Sequence, residues 1–143
     1  MAGEDGAARS ATVLIVEDEM LVGLGLALAL NVAGYRVVGP TGSMKRALAL
    51  GAEHLPEIAL VDIHLHGRPD GMAVASALAE CHGSTVIFLT AAPEEAWQGR
   101  AFAFGVIAKP YDLVAIPEAI EAARRHRNGA PIGTVPRILE QFR

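Results

Sequence analysis

The sequence predicts an α/β fold, a doubly wound five-stranded parallel sheet with helices on both faces, and three observations lead there. Five short apolar segments, most of them rich in valine and isoleucine, recur along the chain. The stretches between them are long enough for a crossover helix of about three turns, and strands alternating with helices in this way build βαβ units. The third observation is polar: several of these segments run straight into an acid, a hydroxyl or a lysine, where an open parallel sheet keeps its ligands.

The elements follow in order. Thr12–Val16 reads as a first buried strand. Met20 to Ala33 also alternates like a strand, at Leu24, Leu26, Leu28 and Leu30, but its length, its Ala/Leu content and the stop at Gly34 favour a helix with Leu21, Leu24 and Leu28 at helical spacing. Tyr35–Gly39 is the second strand. Ser43 caps a helix to about His54, with Pro56 forcing the exit. Ile58–Asp62 is the third strand, and a helix from Gly71 to about Cys81 turns Met72, Val74, Ala75 and Leu78 toward a core. Thr85–Leu89 is the fourth strand. Pro93 opens a fourth helix to about Ala103, Gly105–Ala108 is the fifth strand, and the last helix begins near Asp112 or restarts at Pro117, with Glu121 and Arg125 as an i,i+4 pair.

The ends differ from this body. Residues 1–11 are small and polar and are expected to be disordered, 12–127 form the domain, and 128–143 form a short tail broken by Gly129, Pro131, Gly133 and Pro136. Pro136–Arg143 is expected to form a short helix docking on the body or on a partner. With 143 residues, 52% hydrophobic and 20% charged, one packed domain is predicted rather than a disordered chain. The net charge of -4, from 12 basic and 16 acidic residues, argues against nucleic acid as a partner. The apolar run Met20–Leu30 is too short to span a bilayer and follows Glu17-Asp18-Glu19, so no membrane role is expected. Acidic Glu4 and Asp5 do not suit a signal peptide, and the single Cys81 suits a reducing compartment; a cytoplasmic location is expected.

The chemistry converges on the strand ends. The first strand ends at Glu17-Asp18, the third at Asp62, the fourth at Thr90 and the fifth at Lys109-Pro110. Two carboxylates at about 4 Å repel by roughly 1–4 kcal/mol at surface-like dielectric, so three need a cation or raised pKa values. An all-oxygen set favours Mg²⁺ sharing its coordination with a phosphate. A hard cation, a lysine and a hydroxyl around one nucleophilic carboxylate suit phosphoryl transfer. Taken singly, Asp62 reads equally as a cap, Thr90 as a turn and Lys109-Pro110 as a surface turn. Glu19 reads as helix-dipole charge, His64 and His66 as solvated, and Arg124–Arg127 as a solvated helix end. Trp97, Phe102 and Phe104 divide between docking face and core.

The four motifs together, Val13-Leu14-Ile15-Val16-Glu17-Asp18-Glu19, Leu60-Val61-Asp62, Phe88-Leu89-Thr90-Ala91 and Ala108-Lys109-Pro110, resemble the receiver domains of two-component response regulators over residues 12–126. The resemblance implies a flavodoxin-like (βα)₅ fold. It implies Asp62 as phospho-acceptor from a sensor histidine kinase or phosphotransfer protein. Asp18 and Asp62 would ligate Mg²⁺, with Glu17 direct or through water and the His64 backbone carbonyl completing the set. Thr90 and Lys109 would grip the phosphoryl group, and the Lys109–Pro110 bond would be cis. The output face would be the fourth helix, fifth strand and fifth helix, which is also the expected homodimer face. The chain is expected to be a stand-alone switch rather than an enzyme, signalling by protein contact.

Three departures stand out. Val106 occupies the usual aromatic switch position, which leaves the Thr-to-aromatic relay open: either Tyr111, Phe102 or Phe104 substitutes for it or none does. The loop Ile63–Gly71 is one residue longer than the commonest form, with His66 where a proline is usual. No output domain is expected to follow. These features keep open a degenerate receiver acting as a constitutive binding module, while a small Mg²⁺-dependent phosphohydrolase would need a second catalytic acid where His64 stands.

Overall fold

The computed structural model describes residues 11–142. Strand β1 (Thr12–Val16) leads through helix α1 (Met20–Val32) to β2 (Arg36–Thr41), then α2 (Met44–His54), β3 (Ile58–Asp62), α3 (Asp70–His82) and β4 (Thr85–Thr90). A 3₁₀ helix (Pro93–Gly99), β5 (Gly105–Ala108), a 3₁₀ turn (Leu113–Ala115), α4 (Ile116–Arg127) and β6 (Leu139–Gln141) complete it. The sheet order is β2-β1-β3-β4-β5-β6; β1 to β5 are parallel and β6 is antiparallel to β5. The doubly wound α/β class stands, with one strand more than the five expected.

Alternation along the strands builds two apolar layers. Val13, Ile15, Leu60, Ile87, Leu89 and Ile107 pack on α1 and α4, while Leu14, Val16, Val61, Val86, Phe88 and Val106 pack on α2 and α3. Helix α1 buries Gly23, Leu26 and Leu30, so the Leu21, Leu24, Leu28 spacing read from the sequence marks its exposed stripe. Ser43 caps α2 as expected, its hydroxyl accepting from the Arg46 N–H at 3.1 Å.

Several expectations are corrected. The second strand runs to Thr41, past the predicted Gly39. The fourth helix is a 3₁₀ helix ending at Gly99, not an α-helix to Ala103. Only Ala96 and Gly99 are buried in it, too few apolar anchors to hold a longer α-helix. Gly99 is there because a Cβ would stand 2.7 Å from the Phe88 ring. Glu121 pairs with Arg124 at 3.3 Å and with the Tyr35 hydroxyl; Arg125 instead donates to the Ile132 carbonyl. Arg124 also reaches Glu57, and Arg127 donates to the carbonyls of Gly83 and Glu57, so this cluster is tied to the body rather than simply solvated.

The tail is the largest correction. Leu139–Gln141 is a strand, not a helix, because Leu139 and Phe142 both reach buried sites only in an extended backbone lying along β5. At the other end, the expected disorder of residues 1–10 lies outside the described residues; Ala11 is buried and its carbonyl accepts from the Arg36 N–H.

Candidate functional site

Four strands deliver the side chains to one edge. Asp62 is the last residue of β3 and Thr90 of β4, Glu17 and Asp18 follow β1, and Lys109 follows β5. Lys109 Nζ donates to Asp62 Oδ2 at 2.8 Å and to Glu17 Oε1 at 2.8 Å, across sequence separations of 47 and 92 residues. Oxygens of Glu17, Asp18 and Asp62 lie within 4.8 Å of one another. The cavity of about 330 Å³ above them is lined by Asp18, Asp62, His64, Thr90 and Lys109, with Glu19 and Ala91-Ala92 at its rim. Glu17 sits beneath that lining, with its side chain fully buried.

Local backbone geometry fixes each group. Residues His66 and Gly67 both take positive φ, and Leu65 and Arg68 exchange backbone hydrogen bonds across them, as in a tight primed turn. The turn aims the His66 N–H at Asp18 Oδ2, 2.7 Å away. The His64 N–H donates to Asp62 Oδ1 at 3.2 Å. Thr90 Oγ1 accepts from the Ala92 N–H at 3.0 Å, and the Lys109 N–H donates to the Thr90 carbonyl at 2.8 Å.

Electrostatics show an acid-rich hollow with one cation. Burial pushes the Glu17 carboxyl up to about 7, against the pull of the Lys109 hydrogen bond and helped by the charge of Asp62. Burial also pulls Asp18 upward, but the hydrogen bonds it accepts, above all from the His66 N–H, outweigh that and hold it below the usual carboxylate range. Burial works against the Lys109 charge, yet its bonds to Asp62 and Glu17 prevail and raise it. Tyr111 is raised to about 12 by burial and by the charge of Glu17.

The structure brings together Glu17, Asp18, Asp62, Thr90 and Lys109, and His64 lines the same cavity. Sequence reasoning missed three contributors. Glu95 Oε2 lies 2.6 Å from His64 Nε2 and tethers the 3₁₀ helix to the pocket loop, so His64 is not simply solvated. Gly71 lets α3 start against the pocket floor: a Cβ there would lie 1.9 Å from the Asp62 carbonyl. Gly42 is similar: a Cβ there would lie 2.7 Å from Asp18 Cα. The glycines were visible in the sequence, but the close approaches that demand them were not. The Lys109–Pro110 bond is cis.

One sheet between two helical layers, with three acids, a hydroxyl and a lysine at its carboxyl edge, defines a small doubly wound α/β domain with an acidic strand-end site. The chain belongs to the response regulator receiver domain family of two-component signalling, whose model matches residues 13–121. It is 34% identical over 114 residues to the transcriptional regulatory protein PdtaR of Mycobacterium tuberculosis, covering 78% of this chain and 55% of that protein. It is 32% identical over 125 residues to the phyllosphere-induced regulator PhyR of Methylorubrum extorquens, covering 85% and 47%. The chain thus spans about half the length of the curated relatives it matches. Among solved structures it resembles the signal receiver domain of a modulated diguanylate cyclase from Desulfovibrio desulfuricans G20, with TM-score 0.73, 34% identity and coverage of 82% and 95%. It also resembles the receiver domain of PhyR from Erythrobacter litoralis, with TM-score 0.74, 26% identity and coverage of 87% and 97%. Among the described residues no helix is long and apolar enough to cross a membrane.

Proposed function

We propose that this receiver is a phosphorylation-dependent switch in which Asp62 accepts a phosphoryl group from a sensor histidine kinase or phosphotransfer protein. One observation carries the reading: the Asp62 carboxylate lies at the floor of an open cavity, gripped by Lys109 and within 4.8 Å of two further acids. An Asp62 oxygen attacks phosphorus, the bond from phosphorus to the donor's imidazole nitrogen breaks, and the imidazole leaves with the electron pair. Lys109 turns its charge to the phosphoryl oxygens, and Thr90 gives its hydroxyl proton to one of them as a hydrogen bond.

The donor set is all oxygen and short of positive charge, which fits Mg²⁺ on Asp18 and Asp62, with Glu17 behind them and the backbone carbonyl of His64, a residue lining the same cavity, as the further ligand. When bound, the ion supplies charge neutralisation for the transferring group. Beside Lys109, an apolar groove between α1 and the β5–α4 loop, lined by Leu21, Val22, Gly25, Tyr111 and Leu113, offers the donor protein a docking face.

The signal then leaves by protein contact. The relatives' names, a transcriptional regulatory protein and a phyllosphere-induced regulator, support a place in control of gene expression. The unpaired Cys81 fits a cytoplasmic setting. Val106 in the switch position favours a second reading, a constitutive binding module. Acetyl phosphate with Mg²⁺, read by intact mass, tests the choice: one phosphoryl group on the wild type and none on Asp62→Ala is expected. No addition to the wild type, or the same addition to both, removes the switch.

A further inference from the structure

The C-terminal strand covers what would otherwise be the open β5 edge of the sheet. Leu139–Gln141 pairs antiparallel with Gly105–Ile107, and the Phe142 N–H donates to the Phe104 carbonyl at 2.9 Å. Two side chains anchor it: Leu139 enters one apolar layer and Phe142 the other, edge-on to Trp97 with ring centroids 4.9 Å apart. The segment leading to it is held by half-buried Ile132, Val135 and Ile138 and by the Arg125 bond to the Ile132 carbonyl, so the part that can be released is the strand itself. The strand has three residues, no regular helix or strand occupies residues 128–138, and a cleft of about 330 Å³ bordered by Phe102, Phe104 and His126 runs beside Phe142.

The pocket is wired to this strand through the 3₁₀ helix Pro93–Gly99. Ala92, the residue just before it, donates its N–H to Thr90 Oγ1, and Glu95 is held by His64, while Trp97 on the same short element supports Phe142. If the Thr90 side chain rotates to carry Oγ1 to a phosphoryl oxygen and away from the Ala92 N–H, the Ala92 bond is given up and the support under Phe142 shifts. Val106, too small to relay such a movement itself, lies opposite Glu140 in β6.

We propose that the edge of β5 together with the Trp97 notch is a strand-docking surface, closed in cis by Leu139–Phe142 and opened by phosphoryl loading of Asp62. The occupant after opening is an extended segment of a protein partner carrying an apolar residue and, three positions on, an aromatic, the spacing with which the chain's own tail fills the site. Backbone pairing with an open edge supplies affinity, and the two pockets supply selection. This inference rests on the switch reading above.

Trp97 is the sole tryptophan, so its emission reports the Phe142 contact directly. The full chain is loaded with beryllofluoride and Mg²⁺, with ¹⁹F NMR on the same samples showing whether the mimic is bound. On loading, Trp97 emission should shift to the red and amide exchange over residues 139–142 should rise at least tenfold. A labelled peptide copying Pro136–Arg143 should bind the loaded chain at least tenfold more tightly than the unloaded one. Phe142→Ala should show the red-shifted emission and the tighter peptide binding before loading; the wild-type exchange data stand without it if that variant does not fold. Bound fluoride with unchanged emission, exchange and peptide affinity overturns the docking surface while leaving the switch. Absent fluoride binding overturns the switch, and the release falls with it. A loading-dependent dimer in light scattering, with tails exchanged between copies, overturns the assignment to a partner.

Discussion

The carboxyl edge of the sheet and the layer directly beneath it are built on opposite terms. Beneath, Leu60, Val61, Ile87 and Leu89 have no exposed surface and belong to the two apolar clusters, the arrangement from which most stability comes. At the ends of these two strands and just past β1, Asp62, Thr90 and Glu17 are nearly as buried but polar, and one lysine serves two acids. Glu17's carboxyl, pushed to about 7, shows that this single cation does not offset the burial. The lower layer holds the fold; the upper one, on the function proposed above, takes charges that arrive from outside and costs stability when they are absent.

If that division is right, the two regions fail differently. Asp62→Asn should lose all phosphoryl uptake in the intact-mass assay yet melt no lower than the wild type, since one like charge beside Glu17 disappears and Lys109 keeps its other partner. A variant that melts several degrees lower would show that Asp62 also holds the fold. Leu60→Ala, two residues earlier on the same strand, should cost about 2–5 kcal/mol in urea unfolding, while the folded fraction still accepts phosphate. Gly71→Ala joins the regions. Its Cβ would have to displace the Asp62 backbone, so a loss of about 1–3 kcal/mol and slower phosphorylation should appear together.

How much of this was legible in the sequence follows the same division. The strand layer was readable because fully buried parallel strands leave continuous Val/Ile/Leu runs, and Asp62, Thr90 and Lys109 were readable because each stands where such a run ends. Three features escaped. The buried face of α1 could not be chosen because leucines occupy both sides, and only packing shows Leu26 and Leu30 inside and Leu21 and Leu28 outside. The 3₁₀ helix at Pro93 begins with an α-helical signature and fails for want of buried anchors. The tail strand has three residues and no alternation of its own; it exists only against β5, a pairing that no local pattern records. The Glu95–His64 contact is of the same kind, two exposed-looking residues joined by the fold.

Lys109→Met tests the upper layer alone. It leaves Glu17 and Asp62 buried without their cation, and a loss of about 1–3 kcal/mol is expected at pH 8 without metal. Millimolar Mg²⁺ should recover most of it. A loss that Mg²⁺ does not repair would mean that the lysine chain packs the pocket rather than neutralising it.

The smallest effect is in pH. Because Glu17 binds its proton more tightly in the folded chain, up to about 7, than the 4.5 of an ordinary glutamate, its contribution to stability is complete below about 4.5 and is lost as pH rises through 7. A divalent cation competes for the same carboxylate, so its affinity runs the other way, weakening as the proton returns below 7 and levelling off above it. Calorimetric titration with Mg²⁺ should therefore give binding roughly tenfold tighter at pH 8 than at pH 6, the slope expected when one proton is displaced. In Glu17→Gln that dependence should flatten, with Asp18, already held below the usual carboxylate range, contributing none of it across this window. Equal Mg²⁺ affinity at both pH values in the wild type would mean that Glu17 keeps its bond to Lys109 throughout, leaving Asp18 and Asp62 to hold the ion alone.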